Sequence, residues 1–449
     1  MKQTDEMGSL SIPKLGLKIS IPMVISMISI ALYEIVDTMF ISNISDDALT
    51  TISLSIPVIA IITAIGLGTS IGVNSILAKT LGEKNNAKAN QIICIGIILT
   101  IISWIFIVLI SLFGINTFFD FFTDNEEIKK LGNEYLKVIS VFSIGSLSQI
   151  LFEKILEAYG KSKSSMIVQF SGAIVNLILD PILIFGYFYM PAFGIKGAAI
   201  SSVIGQCFGM FLGIFIILKS KIISIKELKN IKIEKNIVKD IYKVGFPTMI
   251  LEALNSFISL ILNKILITFS EAAVSVWGIY SQLQKFVIII VYGLNYGMIP
   301  ILAYNWGAKK KDRIKECIKF FLKLAFGVTL IGELIFLLLP EQIISIYNVT
   351  DEILNIGVPA FRILAIGFTF AGISLVFSSS FQSFGNGTYS LIINISRKII
   401  IVLPLIFLLR DLFGISIFWI SFTIAEIITM FIAIILYKRI KNNVIEKIE

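Results

Sequence analysis

Residues 22–42 read PMVISMISIALYEIVDTMFIS, an apolar stretch that nevertheless contains two acids, Glu34 and Asp37. A hydrocarbon core about 30 Å thick is crossed by about 20 helical residues, so this stretch is long enough to span a bilayer. A carboxylate inside the core is costly and is normally retained because it acts in binding or transport. The stretch therefore predicts a membrane-spanning helix with at least one functional acid.

The whole chain has the composition of a membrane protein. Of its 449 residues, 56% are hydrophobic and 15% are charged, and the mean hydropathy is +0.91, whereas about a quarter of the residues in soluble domains are charged. We predict an all-α polytopic membrane protein with twelve transmembrane helices, which we place at 17–41, 49–78, 90–113, 133–157, 164–188, 197–219, 243–269, 273–303, 314–339, 355–384, 388–410 and 414–438. The sequence contains no histidine, which excludes histidine proton relays and histidine-ligated metals.

The positive charges are distributed unevenly along the chain. Most of the 38 Lys and Arg residues fall in the tails and in loops on the same side as both termini, notably in 219–243 and 309–319. Because Lys and Arg favour the cytoplasmic side, we predict a multi-pass protein of the cell (cytoplasmic) membrane with both termini in the cytoplasm. The net charge of +8 then follows from topology, and no nucleic-acid partner is expected.

The sequence also repeats itself. Residues of the same type recur at a constant offset in the pairs Pro22 and Pro247, Ala48 and Ala273, Gly68 and Gly293, Gly72 and Gly297, Gly82 and Gly307, and Gly160 and Gly385. Six spans of equal orientation in each half predict a parallel internal repeat, in which two six-helix bundles enclose a cavity and alternate its access by rocking. We expect an N-terminal lobe at 1–218, a cytoplasmic connector at 219–242 and a C-terminal lobe at 243–449.

Three acids lie in predicted spans of the first half, Glu34, Asp37 and Asp180, and no Lys or Arg of that half lies at a matching depth. Glu34 and Asp37 are three residues apart, and Asn176 and Asp180 are four apart, so each pair shares one face of a helix. With a rise of about 1.5 Å per residue, these side chains and Ser202 can meet in one pocket in the outer half of the bilayer.

This set of oxygen atoms favours a small cation. Oxygen ligands suit a hard cation such as sodium, with Asp37, Asn176 and Asp180 as its ligands, whereas carboxylates crowded together in a low dielectric would hold a proton. Pro181 adds a further oxygen, because it leaves the carbonyl of Leu177 without its helical donor. As an alternative, Asp180 caps the proline break and Asp37 reaches the outer surface.

The second half carries buried charges of both signs. Glu252, Lys285, Arg397 and Glu426 all fall near the middle of the bilayer, about 14–18 Å from one face. Because acids and bases at one depth can neutralise each other, we interpret them as a structural ion network in the C-terminal lobe. A second cation site is the alternative.

Two prolines and several large side chains complete the candidate site. Pro22 and Pro181 each remove a helical hydrogen bond, so they predict kinks in the first and fifth spans. Aromatic and Met side chains would offer bulky organic cations an adaptable apolar surface. The candidates for this substrate cavity, for each of which ordinary packing is the alternative, are Met27, Tyr33, Tyr280, Phe286, Tyr292 and Met298.

Several segments resemble one transporter family. They are 22–42, the loop LGEKNNAKAN at 81–90, NLILDPILIFG at 176–186, GIKGAAISSVIGQ at 194–206 and GIYSQLQKFVIIIVYGLNYGMIPILAYNWGAKK at 278–310. Together they resemble the multidrug and toxin extrusion (MATE) transporters, in the bacterial multidrug-efflux branch of that family, over essentially the whole chain.

The resemblance implies a cation site in the first lobe at Asp37, Asn176, Asp180 and Ser202. The last position is usually Thr in the family, and the motif does not demand an acid at Glu34. Some members carry an acid in the seventh span that would fall at Asn255 of this chain. The resemblance also implies that bending of the first helix at Pro22 is tied to cation occupancy.

We therefore predict an antiporter that exports amphipathic, cationic drugs and toxins in exchange for protons or sodium ions. No cofactor beyond the coupling ion and no obligate protein partner are expected, and the partners are the lipid bilayer and small organic cations. A flippase for lipid-linked precursors from the same superfamily is the alternative, although it would be expected to have extra spans or a strongly cationic cavity. A membrane enzyme is disfavoured because no nucleophile or metal constellation has catalytic spacing.

Overall fold

The computed structural model describes residues 2–223, 233–347 and 349–448, apart from a few side chains within these ranges. The described helices are α1 Lys2–Ser9, α2 Ile12–Ser42, α3 Asp46–Gly82, α4 Asn86–Phe122, α5 Glu126–Val141, α6 Ile144–Ala158, α7 Ser162–Phe185, α8 Ile195–Lys219, α9 Lys235–Leu266, α10 Glu271–Gly307, α11 Lys311–Leu338, α12 Pro340–Ser345, α13 Asp351–Ala365, α14 Gly367–Ser383, α15 Gly387–Ile395, α16 Leu403–Phe413 and α17 Ile415–Ile440. A π-helical segment, Ser396–Val402, joins α15 to α16, and a second one, Lys441–Ile445, follows α17.

These helices occupy the twelve predicted spans and confirm the fold class. Within the described residues, nine helical spans are individually long and apolar enough to cross a membrane. Two more spans are pairs of shorter helices, α5 with α6 and α13 with α14, which bend at the break by 44° and 43°. The remaining predicted span, 243–269, corresponds to the more polar α9.

The predicted connector, 219–242, is only partly described. Residues 224–232 lie outside the described ranges, and α9 already begins at Lys235, inside the predicted connector. The boundaries of the two lobes therefore stay predictions.

The internal repeat extends to details of the backbone. Ser45 and Ser270 each precede a long helix. The hydroxyl oxygen of each accepts a hydrogen bond at 3.0 Å from the backbone N–H three residues later. Lys84 and Lys309 both adopt a positive φ, 58° and 55°, in the turns that follow α3 and α10. The two bent pairs begin at Glu126 and at Asp351. These two residues are separated by the same offset as Pro22 and Pro247.

The two lobes pack against each other near one face. We call the face at which α2 begins and α17 ends the terminal face, and the other the opposite face. Contacts between the lobes are made mainly by α3 with α9 and by α2 with α10. Glycines allow this approach: a Cβ at Gly72 would lie 2.3 Å from the carbonyl oxygen of Ile241, and one at Gly307 would lie 1.9 Å from that of Lys79. Backbone atoms cannot yield to such an overlap, so the closed terminal face requires glycine at both positions.

We expect Gly72→Ala and Gly307→Ala to force the lobes apart at the terminal face. Spin labels on cysteines at Ala87 and Asp312, which are exposed on that face in the two lobes, would report a longer mean distance in either variant. Gly278→Ala is the control, because a Cβ at Gly278 meets no described atom within 4 Å. Unchanged label distances in both glycine variants would show that the close packing is not needed for closure.

Candidate functional site

The site in the first lobe is built where α2, α7 and α8 meet. The packing of α7 on α8 is close because a Cβ at Gly205 would lie only 2.6 Å from the carbonyl oxygen of Gly172. Asn176 and Asp180, one turn apart on α7, are 2% and 0% exposed and face α8. Sequence spacing therefore predicted their common face correctly.

The α8 hydroxyls complete a hydrogen-bonded cluster around Asp180. The Ser201 hydroxyl donates to Oδ1 of Asp180. The amide orientation of Asn176 that satisfies both of its ends lets Nδ2 donate to Oδ2 of Asp180 at 3.2 Å, while Oδ1 accepts from the backbone N–H of Ser202 at 2.9 Å. The hydroxyls of Tyr33 and Ser202 lie 3.5 Å apart. Sequence reasoning named Ser202 but missed Ser201, although its position beside Ser202 was a signal that could have included it.

Asp37 faces this cluster from α2. Its carboxyl and that of Asp180 are close enough to interact. Among the described residues, Oδ1 of Asp37 is buried without a hydrogen-bond partner, and no basic group contributes to the environment of either acid. The cluster thus presents carboxylate, amide and hydroxyl oxygens with excess negative charge, and this is a donor set that fits a proton or a small hard cation.

Glu34 lies outside the hydrogen-bonded cluster, although its charge still interacts with Asp37, and its expected lack of a basic partner is wrong. Its Oε2 accepts a hydrogen bond from Nζ of Lys285 on α10 at 2.6 Å. Both side chains are exposed, 50% for Glu34 and 58% for Lys285. Because Lys285 comes from the other lobe, a comparison of depths within one half could not find it. Lys285 therefore has its ion pair with the other lobe, although its side chain also lines the second-lobe cavity that contains Glu252, Arg397 and Glu426.

A charge exchange tests the pairing of Glu34 with Lys285. We expect Glu34→Lys to impair transport by placing two like charges together at the lobe boundary, and Glu34→Lys/Lys285→Glu to recover most of the loss. The single neutralisation Lys285→Gln should change the free energy of unfolding by less than about 1 kcal/mol, as for other exposed pairs. Transport and thermal unfolding are measured for the wild type and for all three variants. If transport by the double variant is as impaired as transport by Glu34→Lys, the ion pair has no role in transport.

The second lobe contains a cavity of ≈ 360 Å³ bounded by α9, α10, α14, α17 and the π-helical segment. On its wall, NH1 of Arg397 lies 3.3 Å from Oε1 of Glu426, and NH2 donates to Oδ1 of Asn394 at 3.2 Å. Of the predicted network, Arg397 and Glu426 are therefore in contact.

Glu252 has a different partner from the ones predicted. Asn255 lies between Glu252 and Lys398: its amide donates to Glu252, and its Oδ1 accepts from Nζ of Lys398 at 2.5 Å. Adjacent residues on an α-helix point about 100° apart, so Arg397 and Lys398 were not expected to face the same cavity. Lys398 was missed for this reason. The π-helical segment contains Arg397 and Lys398, and both line the same cavity.

The predicted substrate-cavity residues separate into several places. Tyr280 and Tyr292 line the second-lobe cavity, and Phe286 lines a groove between α2 and α10. Tyr33 lies beside Ser202, as described above, and Met27 is half-buried on α2. Met298 is wrong as a cavity residue, because it is 0% exposed and packs in the hydrophobic core. Trp277, which sequence reasoning did not name, lines the cavity and stacks on Tyr280 with ring centroids 5.6 Å apart.

Two helical bundles related by a parallel repeat, with an acidic pocket in one and a charged cavity in the other, are the architecture of a membrane transporter. The family model MatE matches the chain twice, at residues 22–182 and 247–408. The chain therefore belongs to the MatE family, and the resemblance found in the sequence is confirmed.

Relatives of known name align over nearly the full length. The chain is 26% identical over 435 residues to the multidrug export protein MepA of Staphylococcus haemolyticus (strain JCSC1435), covering 96% of this chain and 95% of that protein. It is 28% identical over 437 residues to MepA of Staphylococcus aureus (strain N315), with the same coverage.

Solved structures share the fold. A structure of MATE in complex with MaL6 superposes with a TM-score of 0.91 at 21% identity, covering 100% of both chains. An outward-facing multidrug resistance MATE family transporter of the MOP superfamily also gives 0.91, at 22% identity, covering 100% of this chain and 99% of that one.

Proposed function

We propose that the protein is a cation-coupled antiporter that exports amphipathic organic compounds, cations among them, across the cytoplasmic membrane. Inward movement of protons or sodium ions through the first lobe drives outward movement of the organic compound. No covalent chemistry is involved.

One observation carries this proposal. Asp37 and Asp180 lie together in a pocket of oxygen atoms, with no basic partner among the described residues and with Oδ1 of Asp37 left unpartnered. Two neighbouring carboxylates favour binding of a proton or a cation, since their mutual repulsion in a poorly hydrated pocket is then relieved. Release of that ion would change the charge of the pocket, which is the property that a coupling site needs.

The relatives support the substrate class, because the MepA proteins are multidrug export proteins by name. The uneven distribution of Lys and Arg favours a cytoplasmic position for the terminal face. With that orientation, the lobes are closed towards the cytoplasm, and the acidic pocket lies in the outer half of the membrane. The same arrangement would let the first lobe exchange its ion with the outside.

The flippase alternative predicts a strongly cationic cavity. In the second-lobe cavity, the bases Arg397 and Lys398 are balanced by the acids Glu426 and Glu252, and the third base, Lys285, is paired with Glu34 of the first lobe. This balance, together with the acidic pocket of the first lobe, favours the antiporter.

Proteoliposomes with imposed gradients test the proposal. We expect an inwardly directed proton or sodium gradient to accelerate outward movement of a fluorescent organic cation, and an equal potassium gradient at zero potential to have no effect. Transport that responds to neither a proton nor a sodium gradient would refute the coupling.

A further inference from the structure

A groove on the second lobe combines apolar and basic side chains. It lies between α11, α14 and α17 and has a volume of ≈ 520 Å³. Its apolar wall includes Leu322 and Phe326 of α11, Ile373 of α14 and Ile434 of α17. Three lysines of α11 line it as well, and we call them the lysine column: Lys315, Lys319 and Lys323. Among the described residues, no Asp or Glu lines this groove.

Two charges of the lysine column are uncompensated. Its members are four residues apart, so they lie on one face of α11 in successive turns. Lys315 forms an ion pair with Oε1 of Glu446 at 2.6 Å. Lys319 and Lys323 are exposed, and within the described part of the chain neither forms an ion pair. Glu316, one turn before Lys319, is exposed but does not line the groove.

The position of these two lysines along the helix favours contact with lipid. Both fall inside the span predicted at 314–339, and not in the loop before it. A lysine in such a position lays its apolar stem along neighbouring hydrophobic side chains and extends its ammonium towards the lipid headgroups. With no acid of the protein to balance them, Lys319 and Lys323 attract an anion at the depth of the headgroups.

The internal repeat shows that the fold does not require these lysines. At the offset that relates Pro22 to Pro247, the positions equivalent to the lysine column are Asn90, Cys94 and Ile98 of α4. The equivalent span of the first lobe therefore forms without them. Membrane orientation depends on basic residues in the loops and near the ends of spans, so it does not explain a column that continues into a span of one lobe only.

The rim and floor of the groove suit the boundary between headgroups and hydrocarbon. Tyr437, one turn before the end of α17, lies at the rim nearest the terminal face, and tyrosine is enriched at this boundary. Its ring centroid lies 4.9 Å from that of Phe377, which is 5% exposed. Phe326, 45% exposed, continues the apolar surface towards the middle of the span. The groove thus offers apolar surface to an acyl chain and positive charge to a headgroup.

We propose that this groove binds an anionic phospholipid of the leaflet that meets the terminal face. Lys319 and Lys323 hold the phosphate, and one acyl chain lies in the groove between α11, α14 and α17. Basic pockets between transmembrane helices are suited to headgroups of this class. The inference goes beyond the proposed function and does not rest on it, because the groove lies outside both the acidic pocket and the second-lobe cavity.

Photolabelling of the full chain in phosphatidylcholine nanodiscs tests the inference. A small fraction of the lipid carries a diazirine in one acyl chain and is either phosphatidylglycerol or phosphatidylcholine, and labelled peptides are identified by mass spectrometry. We expect the phosphatidylglycerol probe to label the groove-lining parts of α11 and α17 more strongly. Since one lysine near the surface contributes about fivefold to the binding of an anionic lipid, the preference should be about 25-fold in the wild type.

Substitution of the two lysines should remove this preference. We expect a fall of about fivefold in Lys319→Gln and in Lys323→Gln, and labelling close to that by the phosphatidylcholine probe in the double variant. Both side chains are exposed and without an ion pair within the described part of the chain, so neither change leaves a buried charge without its partner.

A matched pair of lysines on the same face of the membrane provides the control. Lys163 and Lys219 are exposed at the terminal-face ends of α7 and α8 in the first lobe. Lys163→Gln/Lys219→Gln changes the net charge equally and should leave the labelling of the groove unchanged. Equal labelling of the groove by both probes in the wild type would overturn the inference. An equal loss in the control variant would overturn it too, because the attraction would then belong to the whole face and not to the groove.

Discussion

Asp37→Asn and Asp180→Asn should each abolish ion-driven export while leaving a folded, membrane-inserted protein. Either change removes one of the two adjacent charges on which binding of a proton or cation in the first lobe depends. Loss of a charged ligand should weaken ion binding by about tenfold to a hundredfold. Efflux of a fluorescent organic cation from cells, corrected for the amount of protein in the membrane, is the measurement.

A matched acid outside the pocket provides the control. Asp46 is exposed in the first turn of α3, so Asp46→Asn makes the same chemical change without touching the site and should export at the wild-type rate. Wild-type export by either Asp37→Asn or Asp180→Asn would show that the first-lobe acids are not the coupling site.

Arg397→Ala should be much more destabilising than Asp37→Asn. Arg397 contacts Glu426 in the interior of the second lobe, and its removal strands a buried carboxylate, at a cost of about 3–5 kcal/mol. Asp37 has no basic partner among the described residues, so its neutralisation strands nothing. The midpoint of thermal unfolding in detergent should fall clearly for Arg397→Ala and little for Asp37→Asn.

The double variant Arg397→Gln/Glu426→Gln separates charge from packing. Because it removes both charges, it should unfold nearer to wild type than Arg397→Ala does. A lower midpoint for Asp37→Asn than for Arg397→Ala would contradict a structural role for the second-lobe pair.

The fold was largely predictable because each span is a local property. Apolar length located the helices, and matched residues such as Pro22 and Pro247 revealed the repeat. The breaks inside the α5–α6 and α13–α14 spans were not predicted, since no proline stands at either break. The π-helical segment at Ser396–Val402 was missed for a similar reason: one extra residue per turn leaves no mark in an apolar sequence.

The candidate site was predictable only where its residues share a helix or a family motif. Asn176 and Asp180 meet because four residues make about one turn. Glu34 instead pairs with Lys285, 251 residues later in the chain, and this contact depends on how the two lobes are oriented on each other. Hydrophobic periodicity specifies which face of a helix is buried but not which residue of another lobe that face meets.

Antiport is reversible, so the most direct test of the coupling claim is whether the organic substrate can drive the ion. Proteoliposomes with an imposed gradient of a fluorescent organic cation, at zero membrane potential and with no ion gradient, should move protons or sodium ions in the opposite direction. The flux should be absent with Asp180→Asn and retained with Asp46→Asn. Substrate movement through the wild-type protein without any opposing flux of either ion would contradict the account.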